Sequence, residues 1–384
     1  MHHRPLPLCL MLAYATSAPV ARAEWAHAGS RQYVGPPRAP HAMSGVDARR
    51  SHRARSSLSA NPRVERRLRV AYGVGRGLVT HDDGGFFVLH PTPRASRFDA
   101  QGKLLYSLKL PAEPSSPPVV LSSGASAFVA GGELYVVDDR GQLRSRSPLS
   151  DSDLTVRSIL ATADGGVAVA GNGWLFKFSA AAELSWRRPI AETPLELLET
   201  SSSLLCVTLL GSVYRLDAAG RISKLGDLGG TTHAVTAGAR NAQLLARTGN
   251  HRLVTFDLLS HQLHTTVEDA TLELDGPVLL GAEHLAQAFT SDGLLVRYRA
   301  DGSEAQRVPF DAGARKAPGG EDALLLADGR LLVARASADV AVITPRGEVT
   351  TVSDSACPDP LGLYAAGTGA VLLACRSGNL LRIE

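Results

Sequence analysis

Short apolar segments recur along the chain at a regular interval, and each is bounded by Gly, Ser, Asp or another turn-forming residue. Eight such segments occupy residues 85–90, 126–131, 166–171, 204–209, 242–247, 285–290, 330–335 and 370–375. Their midpoints are separated by 38 to 45 residues. Self-similarity at a fixed period is the sequence signature of a repeat architecture, in which each unit is one supersecondary element.

Each unit contains further strand-like runs on either side of its apolar segment, and tight turns separate them. In two units the turn opens with Asp138 or Asp217 and closes with Gly141 or Gly220. Asp accepts local backbone hydrogen bonds, and Gly supplies the positive φ that such a turn requires. No segment shows a helical period over eleven or more residues. Four short antiparallel strands in about forty residues predict the blade of an all-β propeller.

The two ends of the repeat region predict how the ring closes. The eighth unit stops at residues 379–384, which form only its third strand. Residues 64–72 precede the first unit and alternate as an unattached strand. This segment can complete the last blade, so residues 63–384 are expected to form an eight-bladed propeller. Seven blades remain the alternative, should one repeat be a loop.

The turn sequences resemble the pyrroloquinoline-quinone-like repeat of quinoprotein-type propellers. Residues 97–104, with Asp99 and Gly102, fit this repeat, and Trp186 occupies its tryptophan position. The repeats are degenerate, because the tryptophan occurs in one unit only. Quinone-dependent dehydrogenases of that family carry adjacent cysteines, a tryptophan platform and acidic calcium ligands. This sequence has no Cys-Cys pair, and Trp174 and Trp186 lie in one unit. The resemblance therefore implies the fold, while the sequence argues against a quinone enzyme and predicts no cofactor.

The N-terminus has the pattern of a secretory signal peptide over residues 1–23. A polar start precedes an apolar stretch over residues 6–15, and Ala21 and Ala23 occupy the positions that a signal peptidase reads. The alternative is an uncleaved anchor, but the apolar stretch is too short to span a bilayer. Cys9 lies early in that stretch after Leu8, which argues against a lipid anchor. We therefore expect a periplasmic or secreted protein without a transmembrane helix in its mature chain.

Residues 24–62 are basic and rich in Pro, Arg and Ser, with few large apolar side chains. Burial of so few apolar side chains does not compensate the loss of conformational entropy on folding, so a disordered linker is expected. It acts either as a solvated spacer or as an electrostatic attachment to an anionic surface.

The net charge of +3 combines two regions of opposite sign. Residues 1–70 hold twelve Arg and three acidic residues, whereas residues 71–384 hold 28 basic and 34 acidic ones. A nucleic-acid-binding domain is basic in its folded part, so nucleic acid is not an expected partner. The 44% apolar content is sufficient for a large core and excludes disorder throughout.

Three cysteines follow the predicted signal peptide. Cys206 and Cys375 occupy equivalent strands of opposite units, too far apart to bridge. Cys357 and Cys375 belong to one unit, and in an exported protein the sequence favours a disulfide between them. Free buried thiols are the alternative for all three, and Cys206 is read as an inert core thiol.

Three segments contain potential metal ligands, but none has the spacing of a metal site. His261 and His264 are three apart, which on a strand points them to opposite faces. The segment from His81 to Gly85 and the one from Asp151 to Asp153 could offer oxygens to calcium, but a calcium loop needs more oxygens at fixed spacing. Residues 73–77 resemble a phosphate loop only loosely and are read as a hinge. No metal site or catalytic set is predicted.

Two functional hypotheses remain. The first is a non-catalytic exported propeller, monomeric, that binds an unidentified envelope or extracellular protein as an interaction or scaffold module; the fold resembles the propeller subunit of the outer-membrane β-barrel assembly machinery. The second is a lyase or hydrolase with charged side chains converging at the central funnel, where propellers can hold a site. No sequence motif identifies a catalytic set for it.

Overall fold

The computed structural model describes residues 47, 52–55, 57–149, 154–200, 203–238, 243–281, 285–311, 322–335, 337, 339–354, 357–367 and 369–384. Within these ranges the chain is all-β, with 32 strands arranged in eight four-stranded antiparallel sheets. No helix in this part of the chain is long and apolar enough to cross a membrane. The prediction of an eight-bladed propeller is confirmed, and the seven-bladed alternative is wrong.

The first strand of the chain, β1 (Val64–Arg69), joins the last blade, and the following strands fill blades 1 to 4 in order. Blade 1 contains β2 (Gly77–Thr80), β3 (Phe86–Leu89), β4 (Arg94–Phe98) and β5 (Leu104–Lys109). Blade 2 contains β6 (Val119–Val120), β7 (Ser126–Ala130), β8 (Glu133–Val137) and β9 (Leu143–Pro148). Blade 3 contains β10 (Val156–Ala161), β11 (Val167–Gly171), β12 (Trp174–Phe178) and β13 (Leu184–Pro189). Blade 4 contains β14 (Pro194–Glu199), β15 (Leu204–Thr208), β16 (Ser212–Leu216) and β17 (Ile222–Asp227).

Blades 5 to 8 continue the same pattern. Blade 5 contains β18 (Thr232–Ala237), β19 (Gln243–Thr248), β20 (Arg252–Asp257) and β21 (Leu263–Glu268). Blade 6 contains β22 (Leu274–Leu280), β23 (Ala286–Thr290), β24 (Leu294–Tyr298) and β25 (Glu304–Pro309). Blade 7 contains β26 (Ala323–Leu325), β27 (Leu331–Ala334), β28 (Asp339–Ile343) and β29 (Val349–Ser353). Blade 8 contains β30 (Pro360–Ala365), β31 (Val371–Cys375), β32 (Asn379–Ile383) and then β1.

Chain order and sheet order coincide in blades 1 to 7, so each blade is a simple meander. The first strands contact those of neighbouring blades around the ring and therefore surround its axis, while the fourth strands form the outer rim. The turns after the first and third strands lie at one end of the ring, here called the turn face. The turns after the second strands and the linkers between blades lie at the other end, the loop face.

The ring closes where the sequence predicted. β1 pairs antiparallel with β32, with Arg67 opposite Leu381 and Arg69 opposite Asn379. The two chain ends thus share one sheet, and blade 8 borrows its outer strand from the beginning of the repeat region. Closure covers the free edge of β32, an edge that would otherwise expose unpaired backbone groups.

The buried middle strands explain why isolated blades would not be stable. All five residues of β7, β11, β15, β23 and β31 are buried, because both faces of each sheet pack against neighbouring blades. The outer strands alternate instead, since one of their edges and part of one face meet water. The apolar segments that recur at about forty residues are these second strands.

The repeated Asp–Gly turn also contributes to packing between blades. The Oδ1 atom of Asp217 accepts hydrogen bonds from the backbone N–H groups of Ala219 and Arg221, both at 2.9 Å. Gly220 follows with φ +77°, and the Trp186 ring of the preceding blade lies against it. A Cβ atom added at Gly220 would lie 2.6 Å from that ring. Trp186 therefore has a structural position between blades 3 and 4.

The end of the predicted disordered linker is packed on the ring, which corrects the expectation of a solvated spacer there. Residues 52–55 run parallel to β26 along its inner edge: Ala54 N donates to Leu325 O and Leu325 N to His52 O, both at 2.7 Å. Ala54 and Leu58 are buried in the core of blades 7 and 8. We call residues 52–55 and 57–59 the strap.

An arginine of blade 7 holds the strap where it crosses the turn face. The Arg330 guanidinium donates to the carbonyls of Leu58 and Ser59, at 2.5 and 2.7 Å, and pairs with Asp328. Backbone pairing and a guanidinium clamp thus order a segment that has few apolar side chains. The predicted signal peptide, residues 1–23, and most of the predicted linker, residues 24–62, lie outside the described residues.

Candidate functional site

The structure joins Cys357 and Cys375, the pair that the sequence favoured, in a disulfide with a Cα–Cα distance of 5.4 Å. The bond links the segment before β30 to the end of β31, and both residues are fully buried. Cys206 is a buried free thiol in β15, and burial raises its pKa far above the usual range. A thiol that stays protonated is a poor nucleophile and metal ligand, so Cys206 has a packing role.

The histidines and acidic residues considered as metal ligands in the sequence do not come together in a common site. His261 and His264 lie at the exposed start of the outer strand in blade 5. His81 is buried at the end of β2, where desolvation and the nearby Arg97 guanidinium lower its pKa to about 3. Asp83 forms an ion pair with Arg97, and Asp151 and Asp153 lie outside the described residues. The described part of the chain contains no group of three His, Cys, Asp or Glu side chains arranged to bind a metal.

Both tryptophans of the repeat region lie in blade 3, and each makes a packing contact. Trp186 packs on Gly220, and the Arg187 guanidinium lies 3.8 Å from the centroid of the Trp174 ring. Residues 73–77, the loose phosphate-loop match, connect β1 to β2 on the loop face, as the hinge interpretation expected.

One polar cluster lies at the turn face, where the first strands of blades 3 and 4 end. Glu199, the last residue of β14, accepts a hydrogen bond at 2.7 Å from the backbone N–H of Ala163 in the neighbouring blade. Asp164, next in that turn, accepts from Lys177 Nζ at 2.9 Å and from Thr162 Oγ1 at 2.6 Å. A carboxyl, a carboxylate and an ammonium group thus meet at the funnel mouth.

The pKa values of the two carboxyl groups in this cluster are shifted in opposite directions. Burial, with the nearby Asp164 charge, raises the pKa of Glu199 to about 7. Burial would also raise the pKa of Asp164, but the Lys177 ammonium and the hydrogen bonds from Thr162 and Gly166 lower it overall. Paired carboxyl groups whose pKa values are pushed apart are a known pattern of acid–base sites, and structural ion pairs produce it too.

A second polar cluster lies on the loop face of blade 4. The Glu192 carboxylate accepts hydrogen bonds from the hydroxyls of Thr208, Ser212 and Tyr214, at 2.5, 2.8 and 3.0 Å. Ser212 Oγ also lies 2.9 Å from Asp227 Oδ1. Partial desolvation would raise the pKa of Glu192, but the three hydroxyls lower it overall. The cluster therefore holds an ionised carboxylate and ties the linker between blades 3 and 4 to two strands of blade 4, β15 and β16.

The outer rim carries exposed apolar side chains on three consecutive blades. Leu104 and Leu105 of β5, Leu143 of β9 and Leu184 of β13 are 51%, 50%, 52% and 49% exposed. Leu104, Leu143 and Leu184 each begin the outer strand of their blade, directly after the turn. Large apolar side chains at one position of adjacent blades differ from the scattered single exposures that are normal on protein surfaces.

A backbone irregularity explains why two neighbouring leucines of β5 both face outward. Phe98 pairs with Leu104, whereas Arg97 pairs with Tyr106, so Leu105 is the extra residue of a β-bulge. A bulge bends its strand and redirects the extra side chain. The same irregularity follows Leu143 in β9 and Leu184 in β13.

Sequence analysis missed the Glu199 cluster and the rim leucines for different reasons. Glu199 ends an apolar strand. An acidic residue directly after Leu197 and Leu198 could have identified a partly buried carboxyl group from the sequence. The rim leucines belong to strands that sequence analysis identified, but which strand is outermost is known only once the ring is assembled.

No protein-family model matches the chain, and no curated protein is significantly similar to it. The similarity to the pyrroloquinoline-quinone-like repeat is therefore limited to the turn sequences. The propeller fold that this similarity implied is present.

Solved structures share the fold at low sequence identity. BamB from Moraxella catarrhalis superposes with a TM-score of 0.65 at 16% identity, over 85% of this chain and 98% of that one. The computationally designed Ika8 protein gives 0.66 at 13% identity, over 82% and 98%. Virginiamycin B lyase from Staphylococcus aureus gives 0.54 at 12% identity, over 69% and 93%. These similarities establish a propeller and leave its activity to be argued from the surface.

Proposed function

We propose that this chain is an exported, non-catalytic β-propeller that binds another protein in the cell envelope. The observation that carries the proposal is the group of exposed leucines on the outer strands of blades 1 to 3. Exposed apolar side chains that recur at one position of neighbouring blades are a feature expected of a surface that binds another protein. The BamB-like fold is consistent with such a role, although fold similarity alone does not assign it.

Export is the second part of the proposal, and it follows from the signal-like residues 1–23. Cleavage after Ala23 would place the propeller in the periplasm or outside the cell, where the Cys357–Cys375 disulfide is stable. N-terminal sequencing of the protein recovered from the envelope fraction should begin at Glu24. Recovery of the intact chain from the cytoplasm only would contradict this part.

Site-specific photo-crosslinking in the native cell tests the binding surface. A photo-reactive residue replacing Leu143 should give one discrete cross-linked species of higher mass. The matched control is the same replacement at Leu259, which is 83% exposed on a turn of blade 5, away from the leucine group. Cross-linking at neither position, or equally at both, would show that the leucine group does not mark the binding surface.

The second candidate, a lyase or hydrolase at the funnel, has the Glu199 cluster in its favour. Glu199 would serve as the general acid and the ionised Asp164 as the base. Purified protein should then turn over a member of an ester or polysaccharide panel. Glu199→Gln should abolish turnover, while Glu192→Gln on the loop face should retain it. Absence of turnover in the wild-type protein would leave the cluster a structural contact between blades 3 and 4.

A further inference from the structure

Charge on the outer strands divides the rim into two halves. The four outer strands of blades 8, 1, 2 and 3 contain eight basic residues and one acidic residue: Arg66, Arg67, Arg69, Lys109, Arg144, Arg146, Arg187, Arg188 and Glu65. The four outer strands of blades 4 to 7 contain two basic and three acidic residues: Lys224, Arg307, Asp227, Glu268 and Glu304. We call the first group of strands the basic rim and the second the neutral rim.

Part of the positive charge on the basic rim is neutralised locally. Arg67 pairs with Asp354 at 2.9 Å, Arg144 with Asp138 at 2.8 Å and Arg146 with Glu133 at 2.5 Å. The other five basic side chains are exposed and have no carboxylate partner among the described residues: Arg66, Arg69, Lys109, Arg187 and Arg188. An excess of positive charge therefore remains.

The same half of the rim carries the exposed leucines. Leu104, Leu143 and Leu184 lie one blade apart, and each begins an outer strand whose cationic side chains follow it. We infer that the basic rim binds an extended acidic segment of a partner protein, whose apolar side chains contact the leucines of blades 1 to 3. This inference rests on the proposed function and specifies the chemistry of the partner.

The curvature of the ring requires the bound segment to be extended. In an eight-bladed ring each outer strand is turned by about 45°, an eighth of a full turn, from the next. The outer strands of blades 8 and 3 are therefore turned from each other by about three such steps. Because of this curvature, a flat surface can contact the outer strands of two neighbouring blades at most. A lipid bilayer would leave half of the basic rim unused, whereas a polypeptide chain can follow the curve.

The side chains on the rim also favour a polypeptide over a nucleic acid. Single-stranded nucleic acids bind through aromatic side chains on which the bases stack. The large exposed apolar groups of β5, β9 and β13 are aliphatic, and Trp186 is buried against the next blade. Leucines that share their strands with arginine and lysine match a segment that contains both apolar and acidic residues.

Binding of a model peptide tests the inference with purified protein. The probe is a labelled peptide of about 20 residues that repeats Glu-Asp-Leu, because an extended chain of that length follows four blades at roughly 3.3 Å per residue. The comparison probes are a peptide with Ser in place of Leu, single-stranded DNA and phosphatidylglycerol vesicles. Fluorescence anisotropy should show the tightest binding for the leucine peptide, and the affinity should fall as salt screens the charges.

Charge reversal in each half of the rim provides a matched pair of variants. Arg69→Glu with Lys109→Glu on the basic rim should weaken peptide binding roughly tenfold. Lys224→Glu with Arg307→Glu on the neutral rim makes the same change in net charge and should leave the affinity unchanged. Leu143→Ser with Leu184→Ser should reduce the binding of the leucine peptide to that of the serine peptide.

Several results would overturn the inference. They are equal binding of the leucine and serine peptides, stronger binding of DNA or vesicles, equal effects of the two charge reversals, or occupation of the basic rim by a second copy of the chain. If the Leu143 cross-link forms in cells but the peptide does not bind, the acidic-segment inference is wrong and the protein-binding function stands. If no cross-link forms at the leucines, the proposed function itself is wrong.

Discussion

The basic and neutral halves of the rim are built on the same four-stranded blade, yet their outer strands differ in chemistry. Most outer strands of both halves begin with an apolar residue, but β5, β9 and β13 also carry Lys or Arg and no acidic residue, whereas β17 and β21 contain acids and β29 contains no charged residue. The core of the ring does not require this difference, because the middle strands are buried in both halves. The fold therefore constrains the inner three strands of a blade and leaves the outer strand available for recognition.

Two boundaries join the halves, and they are held by different means. Between blades 7 and 8 the strap crosses the turn face, the Cys357–Cys375 disulfide follows, and β1 completes the last sheet. Between blades 3 and 4 the described residues show the linker that carries Glu192, the hydrogen bond from Ala163 N to Glu199, and the packing of Trp186 on Gly220 at the rim. Perturbing each boundary separately shows what each one contributes to stability.

The largest effect is expected from removing β1. A chain that begins at Ala71 lacks the outer strand of blade 8 and the strap, so it leaves β32 as an open edge and exposes part of its core. We expect loss of cooperative unfolding, measured by circular dichroism in urea.

The matched control begins at residue 60 and keeps β1 while losing the strap. It should fold, but with a free energy of unfolding lower by about 2 kcal/mol, because Ala54 and Leu58 no longer cover the core of blades 7 and 8. Cooperative unfolding of both truncated chains at the wild-type urea midpoint would contradict the role given to this boundary.

The next effect in size concerns the disulfide at the same boundary. Cys357→Ser with Cys375→Ser removes a cross-link that closes a loop of 18 residues. We expect the free energy of unfolding to fall by about 3 kcal/mol, because the unfolded chain regains the entropy of the open loop. A reducing agent should lower the urea midpoint of the wild-type protein by the same amount and leave the double variant unchanged. A wild-type midpoint that is insensitive to the reducing agent would rule out this contribution.

The third effect concerns the boundary between blades 3 and 4. Gly220→Ala places a Cβ atom 2.6 Å from the Trp186 ring at a residue with φ +77°. Gly124→Ala is the control, because Gly124 has φ +82° and nothing lies within 4 Å of the added Cβ. Both variants carry the backbone strain of about 1 kcal/mol, and Gly220→Ala should lose about 2 kcal/mol more through the displaced ring. Equal urea midpoints for the two variants would show that the Trp186 contact is not tight.

The two boundaries also differ in how far the sequence predicts them. The closure by β1 was predictable because the eighth unit lacks a strand and residues 64–72 alternate. The strap was not, because backbone pairing at Arg53 and carbonyl groups bound by Arg330 hold it, and backbone contacts leave no pattern in the sequence. The charge division of the rim is present in the sequence, but it is recognised only when the outer strands are placed side by side.

The smallest effect is a pH dependence at the boundary between blades 3 and 4. Burial raises the pKa of Glu199 from 4.5 to about 7, so the folded protein holds this proton in a range where the unfolded chain has released it. Between these two values folding takes up a proton, and the free energy of unfolding therefore falls as the pH rises. The contribution is fully present below pH 4.5 and is lost above about pH 7.

Glu199→Gln removes this titration and keeps an oxygen that can accept the hydrogen bond from Ala163 N. The variant should match the wild-type protein near pH 5 and exceed its free energy of unfolding near pH 8 by on the order of 2 kcal/mol. The measurement is the difference between the two proteins in urea unfolding across that range, which cancels the other titrating groups. Glu113→Gln, at an exposed position of a blade linker, is the control for the loss of a carboxyl group. If the Glu199→Gln difference does not change with pH, the Glu199 carboxyl is hydrated in the folded protein, and the funnel mouth is open to water between the two halves of the ring.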